Sequence, residues 1–148
     1  MSIFSSLIFD ANALTYLYRL GLLETCLSAV EYPVTLDIVY VEELERMPFA
    51  DVMKTRIDLL LFDEKMMGKA ISCRYEHKGL TLNDAGLIIL GQSFGYPVFT
   101  EDKKMIQELA RFEVTHVSLL EVIEALVSAG YITCEKGLHA VEKIASEI

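Results

Sequence analysis

Short apolar runs alternate with capped, helix-length segments along most of this 148-residue chain. That alternation constrains the fold more than any one residue does, because it is the pattern of a parallel sheet flanked by helices. Ile3 to Phe9 reads as a buried strand, followed by a helix from Ala13 to Leu20 that Gly21 stops and a second helix from about Leu22 to Val30. Pro33 leads into a short strand, Val34 to Leu36. Asp37 is placed to cap a helix running to about Met47, which Pro48 ends. Residues 52 to 78 read as two helices divided near Phe62 and Asp63, and Gly79 closes that region. Thr81-Leu-Asn-Asp84 has the form of a capping box at the start of a helix ending at Phe94. Pro97 to Phe99 is the next strand, Thr100 is placed to cap a helix to about Ala110, and Val114 to Ser118 follows as an edge strand. Leu119 to Ala129 and Cys134 to Glu147 then read as a helical hairpin turned at Gly130 and capped by Thr133.

The expected architecture is a three-layer α/β/α domain with a mostly parallel central sheet of four to five strands. It spans 1–148, with a core at about 3–118 and a helical extension at 119–148. A hydrophobic content of 53% is ample for a packed core. Asp84, Gln92 and Ser93 interrupt the longest apolar stretch, so no membrane span is expected. The first residues include Asp10 and no early Lys or Arg, unlike a secretory signal. Cys26, Cys73 and Cys134 are odd in number and far apart, which excludes a disulfide framework or a CxxC knuckle and fits a reducing cytoplasm.

Four acids from distant segments, Asp10, Glu43, Asp84 and Asp102, fall at or near junctions between apolar runs and helix starts. Asp10 directly follows the strand-like Ser6-Leu-Ile-Phe, where an unused charge would be expensive. At about 100° per residue, Glu43 lies beside Val39 and Met47 at the edge of an apolar face, whereas Glu42 and Glu45 fall opposite. Asp84 and the pair Glu101 and Asp102 have a simpler explanation, the favourable field of a helix N-terminus. Carboxylates gathered without matching bases call for a metal ion.

The net charge of −9 is unevenly spread. Residues 1 to 53 hold two bases against eight acids, and residues 79 to 148 hold five against ten. Residues 54 to 78 alone are locally basic, with Lys54, Arg56, Lys65, Lys69, Arg74 and Lys78 against four acids. These six are the candidate contacts to a polyanion backbone, the alternative being a solvated helical face. His77, His116 and His139 lack metal-ligand spacing. Tyr16 and Tyr18 fit either core packing or stacking on a base.

Leu7-Ile-Phe-Asp10-Ala-Asn12, Val41-Glu-Glu43-Leu44, Leu80-Thr-Leu-Asn-Asp84-Ala85 and Pro97-Val-Phe-Thr100-Glu-Asp102, taken in that order, resemble the PIN-domain ribonuclease family, and within it the VapC-type toxins. The resemblance runs from about Ile3 to Ser118. It implies a metal-dependent endoribonuclease in which Asp10, Asp84 and Asp102 surround one or two Mg²⁺ or Mn²⁺ ions. Glu43 would assist through the metal or its water, and Asn12 and Thr100 would support the pocket. Such an ion lowers the pKa of water and polarises a phosphodiester. The implied partners are RNA, an antitoxin protein if the chain is the toxin of a toxin–antitoxin pair, and a second copy of the chain. The competing reading is a non-catalytic RNA-binding or assembly module on the same fold. A phosphorelay receiver would need paired acids after its first strand and a haloacid-type phosphatase an Asp-x-Asp, and Asp10-Ala-Asn12 supplies neither.

Overall fold

The computed structural model describes residues 3–147. Five strands form one sheet, all parallel, in the order β3-β2-β1-β4-β5. They are β1 (Ser6–Phe9), β2 (Tyr32–Leu36), β3 (Asp58–Leu60), β4 (Val98–Phe99) and β5 (His116–Val117). The helices are α1 (Ala11–Arg19), α2 (Leu23–Ala29), α3 (Asp37–Val39), α4 (Ala50–Arg56), α5 (Glu64–Glu76), α6 (Leu82–Phe94), α7 (Lys103–Arg111), α8 (Leu119–Ser128) and α9 (Cys134–Glu147). A π-helical turn, Tyr40–Leu44, continues directly from α3. The α/β/α architecture and the C-terminal hairpin are those the alternation implied.

The chain builds leftward from β1 to β3, then returns to place β4 on the other side of β1. This reversal opens a crevice outside the C-terminal ends of β1 and β4. The register Ile8↔Val98 and Phe9↔Phe99 sets those two ends level. On one face α1 packs on α2, and α2 on α4 and α8, with α9 against α8; on the other α6 lies on β2 and β4, backed by α5. Phe9 and Phe99 are fully buried, and their rings meet at 5.7 Å between centroids. Helix α6 is apolar around its circumference, with Ala85 to Gly91 all buried, as befits a helix enclosed on several sides. Gly86 permits the close approach: a Cβ there would lie 2.6 Å from Phe62 Cε2 and 2.8 Å from Leu36 Cδ1. The N-terminal turn of α6 is thereby held against the end of β2.

Several elements differ from the expected ones. The first strand starts only at Ser6, because residues 3–5 form a turn. The region of 52–78 contains β3 between its two helices. This strand is three residues long, exposed at Asp58 and on the sheet edge, so it lacks the continuous apolar run of a central strand. Asp37 does not start one long helix to Met47: its Oδ1 accepts from the N–H groups of Ile38 and Phe62, and the helix widens after three residues into the π turn. Thr100 does not cap α7; Asp102 does. Gly79, Gly95 and Gly130 do close their segments with positive φ. Among the described residues no helix is long and apolar enough to cross a membrane.

Candidate functional site

The crevice between β1 and β4 is organised around Thr100. Asp10 leaves β1 and turns within one residue into α1, its Oδ1 accepting the Ala11 N–H at 2.8 Å. Its backbone N–H still donates to Phe99 O at 3.0 Å, so strand pairing holds the acid level with the end of β4. Thr100, fully buried, donates its hydroxyl to Asp10 Oδ2 at 2.7 Å and accepts the Asp102 N–H at 3.2 Å. Asn12 Oδ1 accepts the Glu101 N–H at 3.2 Å and lies 3.3 Å from Thr100 Oγ1. His116 Nε2 pairs with the Thr100 carbonyl at 2.7 Å, so that nitrogen carries the proton. The ambiguity between Glu101 and Asp102 is resolved by partners: Glu101 Oε1 accepts the Leu119 N–H at the start of α8. Asp102 stays beside Thr100 and caps α7 through Lys104 N–H at 2.9 Å and Met105 N–H at 3.3 Å.

The opposite wall comes from α6 and the π turn. Thr81 Oγ1 accepts the Asp84 N–H at 3.1 Å, fixing Asp84 in the first turn of α6. Asn83, buried to 8% exposure, donates through Nδ2 to Glu43 Oε2 at 2.9 Å and to Glu42 Oε2 at 3.0 Å. The expectation that helical phase separates Glu43 from Glu42 is therefore corrected. Glu45 N–H bonds to Tyr40 O, five residues back, and this wider winding advances each residue through less than the 100° assumed. Both glutamates thus face Asn83, while Glu45 remains outside.

The acids feel one another electrostatically. The pKa of Asp10 is raised to about 6, by burial above all and then by Asp84 and Glu43, with the Thr100 and Ala11 hydrogen bonds opposing. Glu43 is raised by burial first, then by Asp84 and Glu42, with Asn83 opposing. Asp84 is raised by burial and by Asp102, opposed by hydrogen bonds from Thr81 and by the Lys104 charge. All four acids singled out from the sequence are accordingly linked through these interactions, and Asn12 and Thr100 support them.

This all-oxygen set fits a hard divalent cation such as Mg²⁺ or Mn²⁺ in chemistry and in charge. As placed, it is open. Among the described residues no three His, Cys, Asp or Glu side chains stand so as to hold a metal ion. Asn83 Oδ1 is buried without a hydrogen-bond donor in the described structure, so the polar demand of this wall is incompletely met.

Three residues here were not picked out from sequence. Asn83 carries no charge, and its signal lay only in its position beside Asp84. Glu42 was concealed by the π turn. Lys104 follows the cap of α7; its Nζ would stand 2.2 Å from a Cβ placed on Gly79, and its charge favours ionised Asp84. The six candidate polyanion contacts occupy separate places. Exposed Lys54 shares α4 with Arg56, whose Nη1 donates to Ser28 Oγ at 2.6 Å. Lys65 and Lys69 flank a shallow groove with Ile89 and Ser93, along α6 from the acids. Arg74 donates from Nε to Leu80 O at 3.0 Å, and Lys78 lies beside it in a groove with Tyr75 and Gly79. His77 packs edge-on against Phe112, and the Tyr18 ring lies tilted against that of Phe49. No protein-family model and no curated protein matches the chain.

Proposed function

We propose that this chain is a PIN-like, Mg²⁺- or Mn²⁺-dependent endoribonuclease. The observation that carries the reading is the convergence, at the switch point of a parallel sheet, of carboxylates from four distant segments: Asp84 and Glu43 raise the proton affinity of Asp10, Asp84 that of Glu43, and Asp102 that of Asp84. Asp10, Asp84 and Asp102 would hold the ion, with Glu43 beside them. When bound, the ion supplies charge neutralisation, makes water more acidic and polarises the phosphodiester. The Thr100 hydroxyl orients Asp10 by donating to its carboxylate and Asp102 by accepting its backbone N–H. Lys104 carries a positive charge that Asp84 feels, suited to a scissile phosphate once the acids are neutralised.

The test is cleavage of single-stranded RNA by purified protein with Mn²⁺, with Mg²⁺ and with excess EDTA, alongside Asp10→Asn. Metal-dependent cutting that the variant lacks is the expected result; equal cutting in EDTA overturns the mechanism. The openness of the acid cluster favours a second reading, an RNA-binding module without catalysis. Under it, RNA binding is unaffected by Mn²⁺ or by Asp10→Asn, and no cutting occurs.

A further inference from the structure

We propose that the groove between the end of α5 and the start of α6 is a nucleotide subsite, in which Tyr75 stacks on a base of single-stranded RNA while Arg74, Lys78 and Lys104 receive the flanking phosphates. The inference deepens the ribonuclease reading above and rests on it for the identity of the ligand. The groove has a volume of about 350 Å³ and is lined by Ile71, Arg74, Tyr75, Lys78, Gly79 and Leu80. Ile71, Arg74 and Tyr75 share one face of α5 by their spacing of three and four residues. This face is not the packed one, for the helix buries Ala70 and Cys73 instead. Ile71 is 55% exposed and Tyr75 86%, the most exposed large hydrophobic side chain among the described residues. A ring so far out of the core adds little to the fold and is available to a ligand.

Charge complementarity selects the ligand. The lining contains no acid, and Arg74, Lys78 and Lys104 form no ion pair among the described residues, in a chain whose net charge is −9. Unpaired cations around an exposed aromatic ring suit a polyanion that also offers π faces, which is single-stranded nucleic acid. An acidic peptide would satisfy the charges and leave the ring unused; a duplex would keep its bases paired and out of reach. Arg74 donates from Nε to Leu80 O at 3.0 Å, which holds the guanidinium along the groove and leaves its terminal nitrogens for a phosphate. Lys104 reaches the groove from α7. It lies so close to Gly79 that a Cβ there would come within 2.9 Å of its Cε, and Gly79 has a φ of +100°, so glycine keeps room for the ammonium. The same charge favours ionised Asp84, and Leu80 of the groove directly precedes Thr81, whose hydroxyl accepts the Asp84 N–H. A strand lying in the groove is thereby led to the acids. Lys54, Arg56, Lys65 and Lys69 line no part of it.

The experiment is a fluorescence-anisotropy titration of labelled single-stranded oligouridylate with the purified full chain, in EDTA to suppress metal-dependent cutting, at several NaCl concentrations. Tyr75→Ala should weaken binding about fivefold or more, while Tyr75→Phe binds like wild type and both variants melt like it. An abasic oligomer of the same length should abolish the difference between wild type and Tyr75→Ala. Lys78→Gln and Lys104→Gln should each reduce the slope of log K against log salt by about 0.7, the value for one phosphate of a single strand, and Lys136→Gln on α9 should leave it unchanged. No binding by wild type at low salt overturns the subsite. So does a Tyr75→Ala variant that binds like wild type, or whose loss persists with the abasic oligomer. If Mn²⁺-dependent cutting is found while Tyr75→Ala binds like wild type, the subsite is refuted and the ribonuclease reading stands. If Tyr75-dependent binding is found and no cutting occurs with any metal, the catalytic reading fails and the subsite stands.

Discussion

Asp10 should destabilise the metal-free protein, and replacing it should make the fold tougher. The acid is buried to 6% exposure, and burial with neighbouring charge moves its pKa from 3.8 to about 6. The folded state therefore holds the Asp10 proton more tightly than the unfolded chain does. Below pH 3.8 the group is neutral in both states and makes no difference. Through pH 4 to 6 the cost of ionising it in the fold grows, and above the folded pKa it is complete, at about 3 kcal/mol. Asp10→Asn removes that cost but weakens the acceptor for Thr100 and Ala11, returning roughly 1 kcal/mol. The net gain at pH 7.5 is about 2 kcal/mol, or a Tm higher by roughly 4–8 °C in a domain of this size. At pH 4 the gain should vanish or reverse. The assay is a set of circular-dichroism melts of both proteins between pH 4 and 8 in EDTA. A variant that is folded yet melts at or below wild type at pH 7.5, or a Tm difference that ignores pH between 4 and 6, refutes the reasoning.

Saturating Mn²⁺ should raise the wild-type Tm, by about 2.7 kcal/mol of stability at a hundredfold excess over Kd, and leave Asp10→Asn unmoved in the same melts. Thr100→Val removes the hydroxyl that lowers the Asp10 pKa, so the carboxyl absorption of Asp10 in difference infrared titration should move to higher pH than in wild type. Gly86→Ala puts a Cβ 2.6 Å from Phe62 Cε2, and urea unfolding should show a loss of about 1–3 kcal/mol with the fold retained. Among the thiols, exposed Cys134 should react with a disulfide reagent at once at pH 8. Cys26, buried and with its pKa pushed up to about 12, should react only on unfolding.

The sequence showed most clearly what depends on local pattern. β1, β4 and the capped α6 were legible because each couples an apolar run or a cap to its own neighbours: Thr81 with Asp84, Gly95 after Phe94. β3 was not, since a three-residue edge strand beginning at Asp58 owes its existence to pairing with β2, which lies outside its own sequence window. The same distinction runs through the site. Asp10, Asp84 and Asp102 sit at element boundaries, and a boundary leaves a trace in composition. Thr100 has the form of a helix cap, and only the buried Asp10 carboxyl, ninety residues away in the chain, explains why it serves the strand side instead. Glu42 was misplaced for a subtler reason: a helical-phase argument presumes one period, and the period changes at Tyr40.

The positions of the acids make physical sense only as a compromise between fold and ligand. A parallel sheet must turn each strand into its following helix at one edge, and there capping carboxylates are useful to the fold itself: Asp10 caps α1, and Asp102 caps α7. These two are anchored by duties that survive without a cation. The ionised forms of Asp84 and Glu43, like that of Asp10, are raised in energy by burial and by neighbouring acids, Asp102 acting on Asp84, and Asp84 and Glu42 on Glu43. Nothing in the packing requires a charge at either place, and Asn83 holds Glu42 and Glu43 together against their repulsion. A surface under no demand but stability would replace such acids with neutral groups of similar shape. Their presence beside two structurally anchored carboxylates, at the crevice where parallel sheets bind ligands, is the strongest physical reason to seek a cation there.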